Sequence, residues 1–163
     1  MKKNSELTYK EMYQQPASFQ AVNDTLDDIF KTLDKVFFGE KKYDELIFTG
    51  CGTSLYLAQA SAAAFSTYTG IPAKGVPCSE LYYFPETYVK EGRNVLILPI
   101  TRKSYTTEVR MAIDKVHTYP QVTTLAITCD KDSEKYNDYY ILSPDTDEDS
   151  VIMTRSFTSM LYM

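Results

Sequence analysis

No apolar run in this 163-residue sequence approaches the length needed to cross a bilayer. Its start, Met1-Lys2-Lys3, leads into polar residues and not into the apolar core of a secretory signal, so a cytoplasmic location is expected. Positive charge is also short. Seventeen Lys and Arg face 22 Asp and Glu, a net charge of −5, which leaves no basic face of the kind nucleic acid requires. Cysteine is sparse and scattered: Cys51, Cys78 and Cys129 are odd in number and contain no Cys-x-x-Cys pair. Neither a disulfide framework nor a zinc site follows, and they read as reduced thiols. Histidine occurs once, as His117. What remains, 44% hydrophobic and 24% charged residues, suits one compact domain with a sizeable core.

The most informative segment is Gly50-Cys51-Gly52-Thr53-Ser54, between the apolar run at 46–49 and an Ala-rich stretch at 55–68. Two glycines allow a tight turn and a close approach, and Thr53 and Ser54 supply hydroxyls. The helix that follows presents its positive end, so the segment reads as a cradle for a phosphorylated metabolite. A plain strand-to-helix connection is the structural alternative. The loop is not a nucleotide signature: no Gly-Lys-Ser/Thr follows, and no third glycine stands at the dinucleotide offset. Cys51 falls at the expected helix start, which favours a thiolate, although a small buried residue beside the loop is the simpler reading.

Periodicity predicts a helix over 18–38, stopped by Gly39, and then alternating strands and helices. Strands are expected at 46–49, 73–76, 95–100, 124–128 and 139–142. Helices are expected at 54–68, from Ser79, at 106–116, briefly at 133–136, and from about Phe157. This alternation implies an α/β fold, a three-layer sandwich around a parallel, doubly wound (flavodoxin-like) sheet. Ligands in such sheets bind beyond the carboxyl ends of the strands. A second hydroxyl-rich loop, 101–108, falls at such an end and offers Thr101, Arg102, Lys103, Ser104 and Thr106 to the same anion. Alternatively, Thr106 caps the following helix and the two cations are solvated.

Together, Phe48-Thr49-Gly50-Cys51-Gly52-Thr53-Ser54, Ser79-Glu80, the 101–108 loop, Glu148, Val151 and the run Met153-Thr154-Arg155-Ser156-Phe157-Thr158-Ser159-Met160 resemble the sugar isomerase (SIS) domain family. The lead-in Tyr9-Lys10-Glu11-Met12-Tyr13-Gln14-Gln15-Pro16 is similar to that of tandem SIS enzymes. The resemblance implies a phosphosugar-binding domain over 18–163 preceded by a lead-in at 1–17. It leans toward the tagatose-6-phosphate ketose/aldose isomerase branch, which includes amino-sugar-phosphate deaminases; deglycases are neighbours. Implied with it are a hexose or hexosamine 6-phosphate as ligand, held by Gly52, Thr53, Ser54, Thr101, Arg102, Lys103, Ser104 and Thr106, and a homodimer or larger assembly. No metal or organic cofactor is implied. A phosphosugar-sensing domain or a degenerate assembly domain is the alternative.

Two departures qualify the resemblance. The family's second loop reads Ser-x-Ser-Gly-x-Thr, whereas here Lys103 replaces the second serine and Ser104 the glycine. Tandem members also carry a second domain that supplies a catalytic glutamate and a ring-opening histidine, so a chain ending at Met163, inside a helix expected to bury Phe157, Met160 and Leu161, is expected to be a half. Glu148 is the carboxylate that the motif offers for catalysis, although the acidic run around it also reads as a solvated loop. His117 is expected at a helix end on the surface. Asp24, Asp27 and Asp28 share a helical turn and are expected to face solvent.

Overall fold

The computed structural model describes residues 2–144 and 150–163, with side chains from Ser5 onward. Two helices open the chain, α1 (Lys2–Asn23) and α2 (Leu26–Phe37), followed by strand β1 (Glu45–Gly50) and helix α3 (Thr53–Thr69). Next come β2 (Ala73–Pro77), the short helices α4 (Cys78–Tyr83) and α5 (Pro85–Tyr88), β3 (Val95–Thr101) and α6 (Thr107–Val116). The described chain continues with β4 (Val122–Thr128), a 3-10 turn at Lys131–Lys135, β5 (Tyr139–Leu142) and α7 (Thr154–Tyr162).

Among the described residues the strands form one five-stranded sheet in the order β2-β1-β3-β4-β5. Every neighbouring pair is parallel. This is the doubly wound order of the flavodoxin type, in which the strand order reverses between β1 and β3. The period of two along the strands separates two cores. Leu46 and Phe48 of β1, with Leu96, Leu98 and Ile100 of β3, pack beneath the first two helices, α3 and α7. Ile47, Val95 and Ile97 point the other way, against Leu81 of α4 and Val109, Ala112, Ile113 and Val116 of α6. Because β1 and β3 are buried on both faces, they read as continuous apolar runs in the sequence.

The N-terminal region differs from the sequence expectation. The helix predicted over 18–38 is two helices: it breaks at Asp24 and Thr25, where the Thr25 hydroxyl and amide both donate to the Val22 carbonyl at 2.9 Å. The residues expected as a lead-in are helical as well. Pro16 lies inside α1, where a proline leaves the carbonyl four residues earlier without its amide partner. Gln15 Nε2 donates to that Met12 carbonyl at 3.3 Å.

The lead-in is tied to the far end of the chain. Buried Glu11 accepts from the Ser150 amide at 3.1 Å and from its hydroxyl at 2.5 Å. Phe19 packs in a tilted arrangement against Tyr162, ring centroids 5.0 Å apart, and the Tyr162 hydroxyl donates to Asn23 Oδ1 at 3.0 Å. In α7, Met160 is buried and Phe157 packs against the core. Leu161, expected to be buried with them, is 55% exposed because the helix turns that position outward. Asp24, Asp27 and Asp28 face solvent.

Candidate functional site

The turns after β1 and β3 converge on one cleft of about 230 Å³. It lies at the carboxyl ends of the two strands between which the sheet order reverses, the position where open α/β sheets bind ligands. From the first turn, Cys51, Thr53 and Ser54 line it; from the second, Thr101, Arg102, Lys103, Tyr105 and Thr106. A third wall comes from Met153, Ser156, Phe157 and Met160, at and just before α7.

The first turn needs its glycines for two different reasons. A Cβ on Gly50 would stand 2.6 Å from the Ser54 carbonyl carbon, so only glycine lets the first turn of α3 lie against the end of β1. Gly52 has open space around it but a φ of +56°, a left-handed conformation that favours glycine. It stands at the N-cap of α3 without a side-chain cap. The Ser54 and Leu55 amides donate back to the Cys51 and Gly52 carbonyls, each at 3.2 Å.

The second turn is closed on itself. Thr101 Oγ1 donates to the Lys103 carbonyl at 2.8 Å, and Thr106 Oγ1 donates to the same oxygen at 3.2 Å. Thr106 therefore stands at the N-cap of α6 without capping it through its side chain, contrary to the capping alternative. Gly52 and Ser104 shape the two turns without lining the cleft. Ser104 is buried, and its amide donates to Asp130 Oδ2 at 2.9 Å. Asp130 follows β4, and its other oxygen accepts from the Asp132 amide at 3.1 Å. Partial burial pushes its carboxyl upward, but these two backbone donors and the Lys103 charge outweigh burial and hold it below the usual carboxylate range.

Asp130 escaped the sequence reading. Its only signal was its place at the carboxyl end of a strand. The third wall was foreshadowed by the Met153–Met160 run, but through resemblance alone, and Tyr105 carried no signal of its own. Glu148 lies outside the described residues. His117 follows α6 at the opposite end of the sheet from the cleft, where Nε2 lies 3.1 Å from Thr124 Oγ1 and 3.8 Å from Asp138 Oδ2. The topology thus removes the chain's one histidine from the cleft. Among the described residues lining it there is no carboxylate and no imidazole, only hydroxyls, two cations, a thiol and apolar groups. Such a set can hold an anion, but it lacks the carboxylate and the imidazole that most often move a proton between carbons.

Comparison with known proteins agrees with this fold. The chain is 24% identical over 165 residues to D-galactosamine-6-phosphate deaminase AgaS of Escherichia coli O157:H7, covering 94% of this chain and 43% of that protein. It is 24% identical over 157 residues to glutamine–fructose-6-phosphate aminotransferase (isomerizing) of Aquifex aeolicus strain VF5, covering 93% and 25%. The chain thus spans less than half the length of these curated relatives. The crystal structure of tagatose-6-phosphate ketose/aldose isomerase from Escherichia coli superposes with a TM-score of 0.81 at 22% identity, over 95% of this chain and 45% of that one, and shares the fold. The SIS domain model matches residues 41–163, three quarters of the sequence, and the chain therefore belongs to the SIS domain family.

Proposed function

We propose that this chain is the phosphosugar-binding half of a sugar-phosphate isomerase or amino-sugar-6-phosphate deaminase. Its ligand in this reading is a hexose or hexosamine 6-phosphate. The observation that carries it is the convergence of two helix N-termini, Thr53, Ser54, Arg102 and Lys103 on a single cleft at the switch point of the sheet. Phosphate favours such a place because helix amides and dipoles, hydroxyls and cations all act in one direction. The sugar ring would lie toward Met153 and Phe157, and the cleft's size suits a phosphate with part of a hexose. The relatives named above carry galactosamine 6-phosphate and fructose 6-phosphate in their names, which supports the substrate class.

Binding and chemistry separate in this chain. With no carboxylate or imidazole among the described lining residues, catalysis in this reading draws its base from Glu148 or from a second SIS domain. That domain would come from a homodimer, a larger assembly or another chain. A cytoplasmic setting fits the substrate, and among the described residues no helix is long and apolar enough to cross a membrane.

A second reading, a degenerate or sensing domain, is favoured by the second turn. The Thr101 and Thr106 hydroxyls already donate to the Lys103 carbonyl, and a phosphate would have to compete for them. A thermal-shift titration against glucosamine 6-phosphate, galactosamine 6-phosphate, tagatose 6-phosphate, fructose 6-phosphate and inorganic phosphate separates the two. Selective stabilisation by a sugar phosphate supports the first reading, and no rise with any of them supports the second. In the double variant Lys103→Ser, Ser104→Gly, lost affinity marks Lys103 as a working ligand, and gained affinity marks the native turn as degraded.

A further inference from the structure

The sequence separates Cys51 from Cys78 by a helix and a strand, but the fold brings them together. Parallel strands β1 and β2 place Gly50 opposite Pro77, and the next residue on each chain is a cysteine. In-register neighbours such as Gly50 and Pro77 stand ~4.8 Å apart, and the two cysteines lie one residue beyond that register, in the turn before α3 and at the start of α4, where a disulfide needs a Cα separation of roughly 4.4–6.8 Å. Both belong to the same core face, whereas Cys129 packs on the other. The two thiols lie close enough for Cys78 to hydrogen-bond a Cys51 thiolate. Thr49 Oγ1 also donates to Cys78 Sγ at 3.3 Å, which fixes that sulfur behind its neighbour. Only one of the pair is reachable: Cys51 is half-buried and lines the cleft, while Cys78 is 1% exposed.

We propose that Cys51 and Cys78 are an oxidisable dithiol in the cleft wall, Cys51 attacking a hydroperoxide that enters the cleft and Cys78 resolving the product to a disulfide. The inference stands whether or not a sugar phosphate binds. The Cys51 thiolate attacks one peroxide oxygen, the O–O bond breaks, and the departing oxygen takes a proton and leaves as water or alcohol. Cys51 is then a sulfenic acid. Cys78 attacks its sulfur while losing a proton, the S–O bond breaks, and water leaves. Two thiols give up two electrons and the peroxide accepts them.

The division of roles follows from the surroundings. The hydrogen bond from Cys78 lowers the Cys51 thiol below its ordinary range, against opposition from partial burial and Glu108. The same bond, with burial, raises Cys78 far above that range. The positive end of α3 begins two residues after Cys51 and favours its thiolate further. A disulfide here would tether the turn that opens α3 to the start of α4 and draw the Cys51 sulfur out of the cleft.

The test is to treat the native chain with hydrogen peroxide, quench, alkylate, and map tryptic peptides without reduction. Cys51, Cys78 and Cys129 fall in separate peptides, 43–74, 75–90 and 116–131. The expected product is 43–74 joined to 75–90, two hydrogens lighter than their sum, in the wild type and in Cys129→Ser. In Cys78→Ser, a Cys51 sulfenic acid trappable by dimedone should replace it. In guanidinium chloride the preference for this pair should vanish. The proposal is overturned if Cys129 joins either partner as readily in the native chain, or if Cys51 runs to sulfinic and sulfonic acid with no linked peptide.

Discussion

Gly50 and Gly52 look interchangeable in the sequence, yet the structure holds them for unlike reasons, and their alanine variants should differ. At Gly50 the new Cβ meets backbone that cannot move independently of α3, an overpacking expected to cost about 1–3 kcal/mol. At Gly52 the space is open and the cost is that of a backbone pair, φ +56° and ψ −127°, which side-chain-bearing residues rarely adopt, about 1–3 kcal/mol. Urea unfolding should show both variants destabilised, with Gly50→Ala also raising amide exchange in the first turn of α3, and a neutral Gly50→Ala would mean that the close approach of α3 to β1 is not retained. Asp130 makes a prediction that depends on pH. Its carboxyl is lowered in the fold, so the stability it adds is complete above the ordinary carboxylate range and is lost as pH falls through its lowered value. Replacing it with asparagine should cost about 1 kcal/mol at neutral pH, allowing for its partial exposure. The difference from wild type should shrink toward zero in acid, and a difference that does not change with pH would remove the charge from the explanation.

Among the elements, α1 is tied to the segment that leads into α7 through one buried side chain. Glu11 is buried and reaches across the molecule to Ser150, just before α7 supplies the third wall of the cleft. Glu11→Ala should destabilise the chain by about 1.5–3 kcal/mol, the range for hydrogen bonds to charged groups. It should also raise amide exchange in α7 before exchange rises in the sheet. Uniform exchange across both would mean that α7 is not held through this contact. The same pairing explains what could not be read from the sequence. The strands and α3 were legible because they are bounded runs whose pattern follows from local burial. α1 was not, because it carries little apolar periodicity and contains Pro16, and much of what holds it, at Ser150 and Tyr162, comes from the other end of the chain. The break at Asp24-Thr25 was hidden by the apolar periodicity that runs through it. In the site, both loops were legible from glycine, hydroxyl and cation content. Asp130 and the Cys51–Cys78 contact were not, since each depends on a strand neighbour distant in sequence.

For the molecule as a whole, charge and topology point in different directions, which makes the cleft testable. The chain is acidic overall, at −5, yet the cleft at its switch point carries Arg102 and Lys103. Anion binding should therefore be local and should weaken as salt rises. Arg102→Ala should lower sugar-phosphate affinity about tenfold, as expected for one charge-assisted contact. Isothermal titration would read this, and unchanged affinity would place the phosphate elsewhere. The central claim, that a sugar phosphate seats on the N-termini of α3 and α6, is tested most directly by following backbone amide chemical shifts while glucosamine 6-phosphate is added to the full chain. The account predicts that the shifts concentrate in residues 52–55 and 102–107, with inorganic phosphate moving a subset of the same amides. Shifts confined to other surfaces, or none at millimolar ligand, would contradict it.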